Sequence, residues 1–166
     1  MTQPADIVLY PAPVLSLRAN PRPLDEALVA IGRRLLATAQ HHRAYGLAAS
    51  HIGQAEPVVV VSFGPVEGRD YRLLFNPHIL SLSAQTAIGV EGSVSLPGVE
   101  ADISRAVSMV VTYDDDKGMR QNAELSGFAA RVAQHEIDQM NGTFFLDRLS
   151  RLKRDAALRR FRKHSR

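Results

Sequence analysis

The chain of 166 residues contains no cysteine. That absence excludes disulfides, Cys-rich zinc sites and thiol nucleophiles. No apolar run approaches the roughly 18 residues that a membrane-spanning helix needs. The opening Met1-Thr2-Gln3-Pro4-Ala5-Asp6 lacks the basic start and apolar stretch of a secretory signal. Both absences lead to the expectation of a cytoplasmic protein with no membrane partner. No repeat or low-complexity segment is visible.

What is present is ordinary globular composition, 45% hydrophobic and 22% charged. The length suits one domain with a proper core. The net charge of +3 is unevenly spread. From Arg148 onward, nine basic residues face Asp155 alone, a net of +8, which leaves −5 on residues 1–147. A basic terminus of this kind fits a polyanionic partner, nucleic acid above all; the alternative is a solubilising terminus.

Five of the nine prolines fall within residues 4–23, so this segment is expected to be extended. Leu24 to His42 has helical spacing: Leu24, Leu28, Ile31, Leu35 and Leu36 form an apolar stripe, with Asp25 and Glu26 in the first turn. Pro57 to Phe63 holds four consecutive valines and reads as a buried strand. Tyr71 to Phe75 is a second strand, ended by Asn76-Pro77. Ala106 to Tyr113 is a third, followed by the turn Asp114-Asp115-Asp116-Lys117-Gly118. Phe128 to Met140 is helical and is stopped by Asn141-Gly142. Leu152 to Lys163 reads as a short basic helix. The implied class is α+β, antiparallel strands packed around one central helix. Residues 1–150 form one domain, and the basic segment 151–166 belongs to it.

The central helix carries Gln134-His135-Glu136-Ile137-Asp138-Gln139. In the pattern H-E-x-x-H, two His four apart on one helix face hold zinc and the Glu serves as general base. Here Gln139 stands where the second His would be, and an amide oxygen is a poor partner for zinc or iron(II).

Two further segments share a pattern with this helix. Tyr45-Gly46-Leu47-Ala48-Ala49-Ser50-His51-Ile52-Gly53 resembles the G-x-G-L-A-A-x-Q motif of peptide deformylases. Glu91-Gly92-Ser93-Val94-Ser95-Leu96-Pro97-Gly98 resembles their E-G-C-L-S-x-P-G, and residues 134–139 resemble their Q-H-E-x-D-H. The resemblance runs from Ile7 to about Lys163, through Leu74-Phe75-Asn76-Pro77 and Asp147–Arg154. It implies an α+β fold and removal of the N-formyl group from nascent bacterial polypeptides. It also implies a site in which one Cys and two His hold iron(II), zinc or nickel, with a water in the fourth position. The helix Glu would handle the proton. A Gln and a backbone N–H would stabilise the oxyanion, a role worth a few kcal/mol.

Carried onto this sequence, the metal positions are Ser93, His135 and Gln139, and the catalytic positions are Glu136, His51 and the backbone N–H of Val94. Only His135 is an ordinary ligand. A serine hydroxyl stays protonated near neutral pH and binds divalent ions weakly. The expectation is therefore no bound metal, or at most one Fe2+ or Zn2+. Normal metal-dependent deformylation of N-formylmethionyl nascent peptides would be lost, leaving a binding role at nascent chains or the ribosome. The alternative is an active metallohydrolase, a weak deformylase or amidase, with its site rebuilt around His51 and His135. On the bland reading, His51 fills a vacated cavity and bonds Gln139 or Ser93.

Arg131 shares a helix face with His135 and Gln139. Either it marks a pocket for an anionic group, or it pairs with Glu91 or Glu136. Gly46, Glu91 and Gly92 match the family and are carried, with Arg131, as substrate-side positions. Gly46 would let the backbone approach a ligand or a packed strand. Asp138 is either a group behind the site or a solvated acid. His41 and His42 point about 100° apart on a helix and read as its exposed end. By the same resemblance, the basic terminus could dock on the ribosome, with Lys153, Arg154, Arg159, Arg160, Arg162 and Lys163 contacting RNA phosphates.

Overall fold

The computed structural model describes residues 1–164; Ser165 and Arg166, the end of the basic segment expected over 151–166, lie outside the described residues. Among the described residues there are three α-helices: α1 (Glu26–His42), α2 (Gly127–Met140) and α3 (Arg151–His164). The strands are β1 (Gly46–Ala48), β2 (Val58–Ser62), β3 (Tyr71–Leu82), β4 (Thr86–Ser93), β5 (Leu96–Ala106), β6 (Ser108–Asp114) and β7 (Arg120–Ser126). They form one antiparallel sheet in the order β1-β2-β3-β6-β7 and a separate β4-β5 ribbon. This is the α+β arrangement the hydrophobic pattern implies. No helix among the described residues is long and apolar enough to cross a membrane.

The valines of β2 show how the layers are built. Side chains alternate across a strand, so Val59 and Val61 join the cluster around α2, while Val58 and Val60 face Leu28, Leu35 and Ala39 of α1. All four are fully buried, each stabilising the fold by roughly 1.5–3 kcal/mol. On its other side α2 meets the β4-β5 ribbon, so the helix bearing the motif lies between two sheets. Gln134 ties it there, its side chain bonding both the N–H and the carbonyl of Ala106 at 3.1 and 2.9 Å. A third cluster joins Leu96, Val99 and Ile103 of β5 to Phe144, Phe145 and Leu146, and to Ala157 and Leu158 of α3.

Helix α1 starts at Glu26, two residues after the expected Leu24, because Asp25 is its N-cap: the carboxylate accepts the Leu28 N–H at 2.8 Å. Of its stripe, Leu28 and Leu35 are fully buried, and Leu24, Ile31 and Leu36 pack at the margin. Three expectations need correction. The strand from Tyr71 does not stop at Asn76-Pro77 but continues to Leu82, with a register shift between Phe75 and His78. Asn76 absorbs the irregularity at a positive φ of 48°, a conformation Asn tolerates. Its amide bonds the N–H and carbonyl of Arg22 at 3.0 and 2.8 Å, supplying partners that the shifted ladder does not. Ala106 closes β5 opposite Thr86 rather than opening the next strand, which begins at Ser108. Finally β1, β4, β5 and β7 were not expected; β7 is a polar strand with no apolar alternation to reveal it.

Candidate functional site

Four pieces of chain meet in a cleft of about 520 Å³. The first is the tight 3-10 turn Ala49–Ile52 after β1, which carries His51. The second is the end of β4, with Glu91, Gly92 and Ser93; the third is Val94 at the turn into β5. The fourth is α2, with Phe128, Arg131, Val132, His135 and Glu136. Strand β1 approaches α2 so closely that a Cβ on Gly46 would lie 2.7 Å from Val132 and 2.8 Å from Glu136. Glycine at position 46 is therefore needed for packing as well as for cleft shape.

Glu91 organises the electrostatics. Its carboxylate accepts a bidentate pair from Arg105, both bonds at 2.9 Å. It also takes a bond from Arg131 at 2.8 Å and meets His135 Nδ1 at 2.7 Å. Burial alone would raise the Glu91 pKa, but the Arg105 bonds and His135 outweigh it and bring the group down to about 2. Behind this cluster Asp138 accepts from Arg105 and, at 2.7 and 2.9 Å, from Arg148. Asp138 is thus a buttress of the ion-pair network rather than a solvated acid.

His51 and Glu136 are buried side by side. The Ala48 N–H donates to His51 Nδ1 at 3.0 Å. Burial first, and His135 second, push the His51 pKa down to about 3, so the ring is neutral and its single proton sits on Nε2. Glu136 Oε1 lies 3.8 Å from His51 Nδ1. That approach is not an ion pair, because the ring is uncharged and the Nδ1 lone pair is already committed to Ala48. Burial raises the Glu136 pKa to about 7, against the lowering field of His135. Burial works against a charge on His135, yet Glu136 and the bond to Glu91 prevail and raise its pKa. His51 Nε2 and Glu136 Oε1 are both buried without a partner among the described residues.

Gln139 does not share this cleft. It is 1% exposed, and its amide nitrogen donates to the Leu15 carbonyl at 2.7 Å, latching the N-terminal segment onto α2. Ser93 Oγ accepts the Ser95 N–H at 3.1 Å. Neither is bonded to His51, which corrects the expectation that His51 bonds Gln139 or Ser93: the nearer backbone N–H of Ala48 takes that role. Arg131 is paired with Glu91, not Glu136, and also donates to the carbonyls of Ile103 and Ala87, each at 2.8 Å. With all its bonds internal, it straps the β4-β5 ribbon to α2. His41 and His42 are exposed at the end of α1 and take no part.

The residues at the expected metal positions do not fit a metal. Among the described residues no three His, Asp or Glu side chains converge to hold an ion. Chemistry gives the reason: Ser93 offers a protonated hydroxyl, and Gln139 offers only a neutral amide oxygen, buried without a partner among the described residues, its nitrogen being bonded to Leu15. His51 Nε2 carries the proton that a ligand nitrogen must lack. Only His135, with Nδ1 anchored by a carboxylate, retains the usual environment of a metal-bound imidazole.

The α3 cations Lys153, Arg159, Arg162 and Lys163 are exposed. Arg154 pairs with Asp147 at 3.3 Å, and Arg160 borders a crevice shared with Gly92 and Ser93. Sequence reasoning missed Arg105 and Arg148. The available signal for Arg105 was a buried-strand pattern, Val99, Ile103, Arg105, in which a buried charge would need a partner.

The model of the family described as polypeptide deformylase matches residues 4–155. A peptide deformylase-like protein of Rhizobium meliloti (strain 1021) is 38% identical over 161 residues, covering 96% of this chain and 92% of that protein. The peptide deformylase of Thermotoga maritima is 36% identical over 151 residues, covering 89% and 88%. Among solved structures, the peptide deformylase of Ehrlichia chaffeensis in complex with actinonin superposes with a TM-score of 0.90. Its identity is 31%, over 100% of this chain and 99% of that one.

Proposed function

This chain belongs to the polypeptide deformylase family, and from that membership we propose that it has lost the family's metal-dependent deformylation and serves in binding at nascent-chain N-termini or at the ribosome. One observation carries the reading. Of the three positions where the family places metal ligands, one is a hydroxyl and another is a neutral amide whose nitrogen donates to the Leu15 carbonyl and whose buried oxygen is a poor partner for zinc or iron(II). Two lost ligands remove most of the roughly 10–16 kcal/mol that a thiolate-and-imidazole set contributes to holding zinc in small structural sites.

What remains suits binding. The cleft keeps a neutral donor at His51 Nε2 and an acceptor at Glu136, both without protein partners. Helix α3 presents a row of cations on a scaffold fixed by Ala157 and Leu158. RNA phosphates are the chemistry that such a row recognises, and the binding would weaken steeply with salt. Co-sedimentation with bacterial ribosomes at low and high salt tests this: retention at low salt, lost at high salt, is expected. No retention at either would remove the ribosome from the reading, and failure to bind formyl-Met peptides as well would remove the binding role.

A second reading has one observation in its favour. Glu91 holds His135 Nδ1 as carboxylates hold metal-bound imidazoles, as a hydrolase rebuilt around His51 and His135 would require. It predicts about one metal per chain, lost on His51→Ala.

A further inference from the structure

We propose that Ser93, His135 and Glu91 form a metal-independent acyl-transfer centre, in which Ser93 Oγ is the nucleophile, His135 its base and Glu91 the carboxylate that orients the base. The proposal rests on the preceding reading in one respect, that no metal occupies the space between these side chains.

The geometry supplies an oriented base and sets the nucleophile on the same cleft. Ser93 and His135 line the same cleft. The Ser95 N–H fixes the Ser93 oxygen at 3.1 Å and leaves the hydroxyl proton to be given away. Glu91 Oε1 lies 2.7 Å from His135 Nδ1. That bond places the proton of the neutral ring on Nδ1 and leaves the Nε2 lone pair for the cleft. Glu91 itself is immobilised by Arg105 and Arg131, so the ring it holds has one orientation. Two residues of the cleft lining can donate to a developing oxyanion. One is the backbone N–H of Val94, which follows the nucleophile in the chain. The other is His51 Nε2–H, buried and without a partner. A nucleophile, a base, an orienting carboxylate and two donors are the constellation of a serine acyl hydrolase, which is recognised by roles rather than by fold.

The step balances without a cofactor. Ser93 Oγ bonds to the carbonyl carbon of a carboxylic amide or ester as its proton passes to His135 Nε2. The carbonyl π electrons move to the oxygen, held by Val94 and His51. On collapse the bond to the amine or alcohol breaks, and that group leaves with the proton from His135. Water then attacks the acyl-Ser93, giving its proton to His135, and Ser93 departs with that proton as the acid is released.

The test is covalent labelling of the full chain by a fluorophosphonate probe in the presence of EDTA, with the adduct located by peptide mass spectrometry. The account expects one adduct, on Ser93, indifferent to EDTA and absent in Ser93→Ala. His135→Asn, which keeps a donor toward Glu91, should slow labelling by roughly 100-fold or more. His51→Leu, which leaves the Glu91 cluster untouched, should slow it by about 100-fold; thermal melts establish that both variants are folded. Absence of an adduct on Ser93, a rate unchanged in both variants, or labelling abolished by EDTA would overturn the proposal. A failure here leaves ribosome binding and metal content as they were, and metal found in the purified protein would undo the preceding reading whether or not Ser93 reacts.

Discussion

The backbone N–H of Ala48 donates to His51 Nδ1 at 3.0 Å, and that bond decides what the ring can do in the cleft. With Nδ1 accepting, the neutral ring presents Nε2 as a donor. A substituted side chain has thereby kept a donor where the resembling motif has an amide.

The same burial sets opposite pH dependences on neighbouring groups. His51 is lowered from 6.5 to about 3, so below pH 6.5 the unfolded chain takes up a proton that the folded chain refuses. Its contribution to stability is present above that value and is lost as pH falls toward 3. Glu136 is raised from 4.5 to about 7. The folded chain holds that proton more tightly, so its contribution is present below pH 4.5 and is lost as pH rises through 7. Chemical denaturation from pH 4 to 9 should therefore show Glu136→Gln gaining stability at pH 8 relative to pH 5, by a difference on the order of 1–3 kcal/mol. His51→Gln should lessen the loss below pH 6. A pH-independent effect of Glu136→Gln would contradict the burial argument.

Arg105 holds two acids, Glu91 and Asp138, from a position only slightly exposed. Removing it takes the most buried cation from the network and leaves Glu91 to Arg131 and His135 and Asp138 to the half-exposed Arg148. Arg105→Ala should cost about 3–5 kcal/mol, and Arg105→Lys should not rescue it, since an ammonium cannot reproduce the bidentate fork. The half-exposed pair Arg120–Asp114 is the control, expected at about 1 kcal/mol or less. Equal costs for the two arginines would show that the buried network does not stabilise the fold.

The missing ligands should be restorable. His135 is already oriented by Glu91, so Ser93→Cys with Gln139→His should bind close to one equivalent of zinc, where either change alone binds weakly. Titration with a colorimetric zinc competitor measures this. If the double variant stays empty, the obstacle lies in the backbone and not in the side chains.

Helix α3 makes its own prediction. Reversing Arg159, Arg162 and Lys163 to Glu spares the buried Ala157 and Leu158. It should abolish ribosome co-sedimentation while leaving the melting temperature within a few degrees of the parent. Unchanged retention would place any ribosome contact elsewhere.

Legibility in the sequence followed physical signal. Helices α1 and α2 and the valine strand were readable because their apolar spacing matches one period and their faces are buried. Strand β7 was not, because an edge strand of Arg, Gln, Asn and Glu lacks alternation. Asn76-Pro77 reads as a stop, and only the cross-chain bonds to Arg22 let β3 pass it. The motif positions Glu91, Ser93, His135, Glu136 and His51 do line one cleft. Gln139 is not among its lining residues, and its amide nitrogen bonds a carbonyl of the N-terminal segment, a partner 124 residues distant that no local pattern announces. Arg105 was missed for a related reason: it meets Glu91 across a hairpin that the sequence did not reveal.

The central claim, that the metal chemistry of the family is gone, is tested most directly by elemental analysis of protein purified without chelators and challenged anaerobically with iron(II), zinc, nickel and cobalt. The account predicts no metal above trace. About one equivalent per chain, released by His51→Ala or His135→Ala, would contradict it.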